Sequence, residues 1–398
     1  MNPLKLPAAS GLLLLFLYGV CPAEGIRFYG SLRNSLYVYN DQQTHTRIYQ
    51  HVRLKAVTPN DMLSLSANLR VLTDTAEALS SNVRFRLYSL RLDAVGLLNK
   101  RLDVAAGRLF LHPGTPLGAL DGVQASVTAS RHVLFQVYGG IQGRFDRSFQ
   151  VNPVQDYRVM GGVVEVSKYL NSKLQLLYLQ KSADSRPYWH LAGVNLNSSM
   201  LPKTIIGVQA HYDLEQSRLH RMMVSAHNPW SERLQTTLEY RRQFPQVYAD
   251  SYFTIFTPVA FQRLRAAAAF EVLKGYALEV QFQHVFFEND QANQAYVTFG
   301  NSFGSAGVVW ENGYAGTQIG LVLDAWVEVI ENLTASVAID YSKYQVEQIY
   351  EFDHQLANAV RLDYRLNRRL AIALEYQWLT NRYKSADSRL LNHLSFVW

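Results

Sequence analysis

Alternation of apolar and polar side chains, sustained over segments of about ten residues, is the feature that most constrains the fold of this chain. In residues 278–283 the apolar side chains occupy the even positions and the polar side chains the odd positions. Residues 62–71, 333–342 and 370–378 repeat this alternation, and it recurs from Ile26 to Trp398 without a domain break. A period of two predicts β-strands with one apolar and one polar face.

The length of these segments indicates strands that cross a membrane. Strands of soluble proteins average about five or six residues, whereas spanning strands tilted by ~45° need about 9–11. No segment after the amino terminus is apolar for as many as ~18 consecutive residues, so no transmembrane helix is predicted. The chain has 24 Tyr, 19 Phe and 6 Trp, as expected when one strand face meets lipid. We therefore predict an all-β fold, a transmembrane antiparallel up-and-down β-barrel.

The connections between the predicted strands alternate between short and long. Short turns are predicted at 58–61, 98–100, 170–172, 228–229, 273–275 and 331–332, and longer polar stretches at 74–82, 112–118, 142–155, 182–187, 243–257 and 289–314. Outer-membrane barrels have short periplasmic turns and long external loops, which places both termini in the periplasm. The count is about 20 strands, with 18–22 allowed. Residues 292–314 are predicted as either an extra hairpin or an ordered loop that folds inward as a constriction.

The first residues are predicted to form an export signal, not part of the barrel. Lys5 precedes the apolar run 11–20, and small residues follow at Ala23 and Gly25. This pattern is typical of a secretory signal peptide, so we predict a signal peptide at 1–23 and a single barrel at 24–398. Cleavage after Gly25 and lipoprotein processing at Cys21 are the alternatives. Cys21 is the only cysteine, which excludes disulfides, thiolate metal sites and covalently attached haem in the mature chain.

The last strand carries a further indication of the compartment. Leu394, Phe396 and Trp398 lie on one face, and Trp398 is the final residue. A final strand that ends in an aromatic residue resembles the assembly signal of Gram-negative outer-membrane proteins. The resemblance implies that Phe396 and Trp398 form such a signal, that the barrel assembly machinery and outer-membrane lipid are partners, and that the chain lies in the cell outer membrane. An interfacial aromatic girdle is the alternative role for Trp398.

Charged residues on the polar face predict a lumen with two electrostatically different walls. The formal net charge is +6, but the basic residues are scattered over many strands, so nucleic acid is not an expected partner. The predicted basic wall comprises Arg27, Arg33, Arg70, Arg84, Arg86 and Arg91, and the predicted opposite acidic wall Glu279, Asp324, Asp340 and Asp363. Opposed walls would create a transverse field that orders polar solutes. A lumen filled by structural salt bridges is the alternative, although about 20 strands leave an aqueous interior.

Two local patterns add structural expectations for the early strands. Apolar parity changes near Ser89, which predicts a β-bulge there. Residues 107–110 and 113–122 read as a strand, a Pro/Gly-rich loop and the next strand. This pattern resembles a hairpin of porin-like barrels in environmental proteobacteria, some of which sheath periplasmic multihaem cytochromes. The resemblance implies a periplasmic or surface partner protein as an alternative function.

No motif predicts catalysis, a metal site or a cofactor. Gly300–Gly304 matches G-x-S-x-G, but the nucleophile elbow needs a following helix, and we place this run in a long external loop. His211, His220, His227 and His284 lie on separate predicted strands without the compact spacing of a zinc motif. A barrel hydrolase whose Ser–His or Asp–His pair comes from neighbouring strands remains an alternative. The sequence predicts a porin-like outer-membrane channel that passes small hydrophilic or anionic solutes by diffusion.

Overall fold

The computed structural model describes residues 25–40, 43–111, 118–144, 146–183, 186–245, 259–314, 316–346 and 351–398. The predicted signal peptide, and most of the predicted loops 112–118 and 243–257, lie outside these residues. Two one-turn helices, α1 (Ser81–Arg84) and α2 (Leu97–Lys100), are present in the described part. None of its helices is long and apolar enough to cross a membrane.

The described chain otherwise consists almost entirely of long β-strands. They are β1 (Arg27–Asn40), β2 (Thr44–Val57), β3 (Leu63–Asp74), β4 (Phe85–Gly96), β5 (Leu102–Leu111), β6 (Gly118–Thr128), β7 (Val133–Gln142), β8 (Arg158–Tyr169), β9 (Ser172–Ala183), β10 (Arg186–Ser198), β11 (Ile205–Asp213), β12 (Arg218–Pro229), β13 (Leu234–Gln243), β14 (Phe261–Leu273), β15 (Tyr276–Phe286), β16 (Gln291–Asn301), β17 (Gly304–Gly313), β18 (Gly316–Ile330), β19 (Leu333–Gln345), β20 (Asp353–Arg365), β21 (Leu370–Asn381) and β22 (Lys384–Val397). Each has at least nine residues, the length that a tilted spanning strand requires.

The strands form one closed antiparallel barrel. Consecutive strands pair with each other along the whole chain, and β22 pairs with β1 from Ser31 to Tyr39. The barrel has 22 strands, at the upper end of the predicted range. The difference from about 20 includes residues 291–313, where β16 and β17 form a hairpin within the wall. The prediction of a hairpin in 292–314 is therefore confirmed, and the alternative of an inward constriction loop is wrong.

The two rims of the barrel differ in the length of their connections. β1 begins and β22 ends at one rim, the terminal rim, where no connection between strands exceeds six residues. The opposite rim, the loop rim, carries the three longest connections, 75–84, 143–157 and 244–260.

Two predictions about the connections were wrong. Residues 182–187 belong mostly to β9 and β10, and Gly300–Gly304 forms a tight turn at the terminal rim, because a two-residue connection suffices between paired strands.

Cross-strand pairing separates an inner and an outer face, because paired residues point to the same side of a sheet. Arg33, Arg361, Asp363 and His393 line one concave recess of about 470 Å³ and therefore lie on the inner face. Apolar side chains of the other parity, such as Leu321, are about half exposed on the outer face. The predicted bulge near Ser89 is confirmed: Asn68 faces Ser89 and Leu69 faces Leu87, which leaves Tyr88 as the extra residue.

The seam between the first and last strands is closed by the terminal tryptophan. The backbone N–H of Trp398 donates to the Gly30 carbonyl at 3.1 Å, and the Gly30 N–H donates to the Trp398 carbonyl at 3.2 Å. The Trp398 ring covers Gly30 so closely that a Cβ there would lie 2.2 Å from it, and it stacks on Phe396 with ring centroids 5.7 Å apart. Gly30 is therefore the position at which the terminal ring meets the wall.

We predict that Gly30→Ala will destabilise the barrel, because the added methyl group displaces the Trp398 ring from the seam. The expected loss is about 1–3 kcal/mol, typical of an overpacked site. Urea unfolding of the micelle-bound barrel, followed by tryptophan fluorescence, measures it. Gly139→Ala is the matched control, because a Cβ at Gly139 meets its nearest atom at an ordinary 3.8 Å. Equal stability of the two variants would contradict the proposed contact.

Candidate functional site

A row of basic side chains crosses the inner face of the first four strands. Arg33 of β1 faces His51 of β2, His51 faces Arg70 of β3, and Arg70 faces Arg86 of β4. We call Arg33, His51, Arg70 and Arg86 the basic row. Directly opposed residues have Cβ atoms about 4.5–5.5 Å apart. Arg70 and Arg86 are therefore like charges that face each other directly, an arrangement that destabilises a sheet unless an anion joins it.

The carboxylates nearest to the basic row already have cationic partners. Asp93 on the same face of β4 accepts a hydrogen bond from Arg91 at 2.6 Å. Asp74 at the end of β3 is bonded to Arg47 at 2.8 Å and lies 2.9 Å from His45. The Nε atoms of Arg70 and Arg86 are buried and have no hydrogen-bond partner among the described residues. The positive charge of Arg70 and Arg86 is therefore not balanced by the carboxylates of β3 and β4, whereas Arg33 lines one recess with Asp363 and Glu328.

The other predicted basic residues occupy different environments. Arg27 lies at the terminal rim and forms an ion pair with Asp61 of the turn after β2. Arg84 is the last residue of α1 at the loop rim, with its guanidinium 5.3 Å from the centre of the Phe85 ring. Arg91 is on the inner face but is paired with Asp93. Of the predicted basic residues, Arg33, Arg70 and Arg86 are thus the ones that the strand register brings together.

The predicted acidic residues are spread around the barrel. Glu279 on β15 lies nearly opposite the basic row, Asp324 and Asp340 on β18 and β19 lie about a quarter of the circumference away, and Asp363 on β20 lines one recess with Arg33. The expected arrangement of two opposed walls therefore does not hold for the three aspartates, because the angular position of a residue depends on the strand count. Asp363 accepts hydrogen bonds of 2.6 and 2.7 Å from Arg361.

Several charged inner residues were missed by the sequence analysis. Arg53 and Lys55 of β2 share the inner face with His51, and the polar parity of residues 44–57 carries that signal. On the opposite wall, Arg241, Arg263 and Arg265 each have a side-chain partner. Arg241 donates to Gln243 at 3.0 Å, Arg265 donates to Gln281 at 2.7 Å, and Arg263 pairs with Glu239. These arginines differ from the basic row because their donors are used within the wall.

The connection between β7 and β8, residues 143–157, reaches the inner face of the first strands. We call it the inner loop. The guanidinium of Arg147 lies 4.8 Å from the centre of the Tyr88 ring. That ring lies 5.5 Å from the ring of His51, a member of the basic row. The Arg147 carbonyl also accepts a hydrogen bond of 2.8 Å from the Leu87 N–H. The inner loop therefore borders the basic row. It is this loop, and not residues 292–314, that folds inward.

Arg108 of β5 attaches the inner loop to the wall. Its guanidinium donates to both carboxylate oxygens of Asp121 on β6, at 2.6 and 2.8 Å. It also donates to the carbonyls of Leu87, Ser148 and Gln150. These bonds use all five N–H donors of an arginine, and the residue is only 5% exposed. Within the loop, hydrogen bonds from Arg144 lower the pKa of Asp146 to about 2, so this carboxylate is ionised and paired.

The attachment site exists because β4 and β5 separate towards the loop rim. They pair only from Leu90 to Ala94, whereas β5 and β6 pair as far as Leu111 and Gly118. The inward side chains of the separated part join an apolar cluster from six strands, which includes Leu109, Leu120, Leu179, Trp189 and Leu191. Leu109 and Leu120 are fully buried. This side of the lumen is therefore packed, unlike the polar wall around the basic row.

One cluster has residue types that bind metal ions. His45, Asp74 and Glu77 place ligand atoms within 4.8 Å of one another at the loop rim. Arg47 is bonded to Asp74 at 2.8 Å and lies 3.5 Å from Glu77. Because the Arg47 guanidinium donates to both carboxylates, the cluster is an ion-pair network that joins β2, β3 and the following loop.

Neighbouring strands also supply one serine–histidine pair. Ser35 Oγ lies 2.7 Å from His393 Nδ1 across the β1–β22 seam. An acyl-transfer site needs two free N–H donors aimed at the developing oxyanion. Both residues lie in the middle of fully paired strands, where the ladder uses the backbone N–H groups. The pair is therefore a cross-strand polar contact.

Comparisons with known proteins give similarity in structure only. No protein-family model matches the chain, and no curated protein matches it in sequence. A BenF-like porin from Pseudomonas fluorescens Pf-5 aligns with a TM-score of 0.49 and 9% identity over 94% of this chain and 98% of that chain. Pseudomonas aeruginosa OccK3 (OpdO) aligns with a TM-score of 0.45 and 11% identity over 93% of this chain and 95% of that chain. Pseudomonas aeruginosa OpdL gives 0.45 and 10%, over 94% and 98%.

We predict that Arg108→Gln will release the inner loop from the wall. The change removes the charge that balances Asp121 and the donors to Ser148 and Gln150. Breaking a buried ion pair typically costs about 3–5 kcal/mol, so hydrogen exchange of residues 146–150 should accelerate at least about tenfold. Mass spectrometry of peptides from this loop measures the rate. Arg144→Gln is the control, because the Arg144–Asp146 pair is about one-third exposed; an equal effect of both variants would contradict the role of Arg108.

Proposed function

We propose that this chain is a porin-like channel of the cell outer membrane, through which small hydrophilic solutes, and anions above all, pass by diffusion. The observation that carries the proposal is a closed 22-stranded barrel with an unbalanced basic row on its inner face. A barrel of this size is wider than its own wall side chains can fill. The basic row raises the local concentration of anions beside it.

The outer face supports the membrane location. Leu321, Val360 and Val327 are more than half exposed, and they lie on spanning strands that are paired with both neighbouring strands. In lipid, only helices and closed barrels satisfy every backbone hydrogen bond. Exposed apolar side chains on such a wall are stabilised by contact with lipid.

The mechanism follows from the uneven inner surface. The inner loop and the apolar cluster narrow the lumen on the side of β5–β10, so a solute passes along the polar wall. Arg33, Arg70 and Arg86 attract an anion there, with Arg91 balanced by Asp93. Glu279, Asp324, Asp340 and Asp363 supply negative potential elsewhere on the wall. Phe396 and Trp398, at the seam, have the proposed role of assembly signal towards the barrel assembly machinery.

In this proposal the chain is a channel and not an enzyme, and its partners are lipid and small polar solutes. The Ser35–His393 pair lacks the free N–H donors that a barrel hydrolase needs. Nothing in the described residues favours a sheath for a periplasmic cytochrome.

The test is single-channel recording in a planar bilayer, with the reversal potential measured under a salt gradient. The wild-type barrel should open in ohmic steps and prefer anions. Arg33→Glu combined with Arg70→Glu changes the charge of the row by −4, and we expect the selectivity to shift towards cations because the field reverses sign.

The control makes the same change of charge outside the lumen. Arg131→Glu with Arg233→Glu alters two turns of the terminal rim and should leave the selectivity nearly unchanged at high salt, where exposed charges are screened within about 3–10 Å. A folded wild-type barrel without conductance, or equal shifts for both double variants, would refute the proposed pathway.

A further inference from the structure

We propose that the basic row and Arg147 of the inner loop form a binding site for a polyanionic oxyanion group, such as a phosphoryl group, on the solute. The inference rests on the proposed function for its access route and goes beyond it, because it names the ligand chemistry of one place on the wall. The site differs from a general basic surface in its register, its charge balance and its contribution from a loop.

The register places the arginines of the basic row side by side on the inner face. Arg70 and Arg86 are directly opposed on β3 and β4, and Arg33 is two strands from Arg70 across His51. The row from β1 to β4 spans about 14 Å, since neighbouring strands are ~4.8 Å apart. Opposed guanidinium groups can each donate to different oxygens of one tetrahedral anion.

Aromatic rings hold the guanidinium groups in place. The Arg70 guanidinium lies 5.4 Å from the centre of the Tyr49 ring, and Arg147 lies 4.8 Å from that of Tyr88. Contacts of this kind are favourable and orient the flat cation on the ring. The N–H groups at the guanidinium edges are then available for a ligand.

The charge balance decides between a polyanion and a monoanion. Arg33, Arg70, Arg86 and Arg147 form no ion pair with a carboxylate among the described residues, while Arg91, Arg47 and Arg144 nearby each do. A monocarboxylate balances one of these charges and leaves the repulsion between the others. A phosphoryl group with two or more negative charges relieves more of it, so affinity should rise steeply with ligand charge.

The opposite wall contains a cluster of arginines that differs from the basic row in its side-chain acceptors. Arg241, Arg263 and Arg265 are also clustered on the inner face, but Gln243, Glu239 and Gln281 accept their hydrogen bonds. Those arginines contribute to the structure of the wall without a ligand. The two groups therefore differ in their side-chain acceptors, which the wall supplies to Arg241, Arg263 and Arg265; a buried Nε without a partner does not distinguish them, since Arg263 has one as well.

Arg147 makes the site dependent on the inner loop. Its backbone is fixed by the bond from Leu87, and the flanking Ser148 and Gln150 carbonyls are held by Arg108. Arg108 is thus a positioning residue: it does not contact the ligand, and all its donors are used within the protein. Its loss should weaken polyanion binding through Arg147 alone.

The experiment compares inorganic pyrophosphate with acetate as probes of the full-length barrel. In bilayers, pyrophosphate should block the KCl current at a concentration at least about tenfold lower than acetate. In detergent micelles, isothermal titration should detect pyrophosphate binding without reference to conductance. For Arg70→Gln with Arg86→Gln, the concentration for half-block and the dissociation constant should both rise about tenfold or more, the loss expected for two charge-assisted contacts.

Matched variants separate this site from general basicity. Arg265→Gln with Arg241→Gln removes the same charge from the opposite wall, and we expect less than about a twofold change. Arg147→Gln should weaken pyrophosphate binding about threefold, and Arg108→Gln should weaken it by the same factor. Because Arg108 acts through Arg147, the variant with both changes should bind no more weakly than either single variant. Folding is checked for each variant by its heat-dependent mobility in electrophoresis.

The outcomes distinguish the two proposals. Anion-selective conductance with equal block by acetate and pyrophosphate, or with unchanged block in the Arg70/Arg86 variant, would overturn the polyanion site and leave the channel standing. Pyrophosphate binding in micelles by a barrel that does not conduct would support the site and overturn the channel.

Discussion

The requirement that every backbone hydrogen bond in the bilayer be made within the protein determines the rest of this structure. Lipid offers no partner to an open strand edge, so β1 and β22 must pair, and the seam from Ser31 to Tyr39 completes the ladder. The even strand number then places the start of β1 and the end of β22 at one rim. The same ladder fixes which side chains face lipid, because the register at one seam propagates through all strands. The position of each inner charge is thus a consequence of closure.

The separation of β4 and β5 is the exception that gives the lumen its shape. Where the two strands part, Leu87 would have an unpaired N–H and an unpaired carbonyl, which are costly when buried. The Arg147 carbonyl accepts the first hydrogen bond and Arg108 donates to the second. The inner loop therefore replaces a strand at this point of the wall. The hydrogen bonds that complete the wall at this point therefore also hold the inner loop in the lumen.

The sequence predicted those features that depend on local patterns. Side-chain parity located the strands and the bulge beside Ser89, because a period of two is visible within ten residues. The β16–β17 hairpin was left open because glycines at positions 300, 304 and 307 interrupt its alternation. The attachment of the inner loop by Arg108 could not be predicted from the sequence. Three of the acceptors of Arg108 are backbone carbonyls, and because every residue has a backbone carbonyl, no residue type marks such an acceptor. The positions of the acidic residues around the barrel depend on the number of strands, and local sequence patterns predict that number only approximately.

The contrast between two arginines of β4 separates structural from functional charge. Arg91 has Asp93 beside it on the same face, and the pair balances its own charge. Arg86 lies on the other side of the bulge in β4 and faces Arg70, which carries the same charge. On the opposite wall, by contrast, Arg241 and Arg263 have an amide and a carboxylate as partners. Opposed like charges destabilise a sheet. In our proposal Arg70 and Arg86 therefore form a site where the missing negative charge comes from outside the chain.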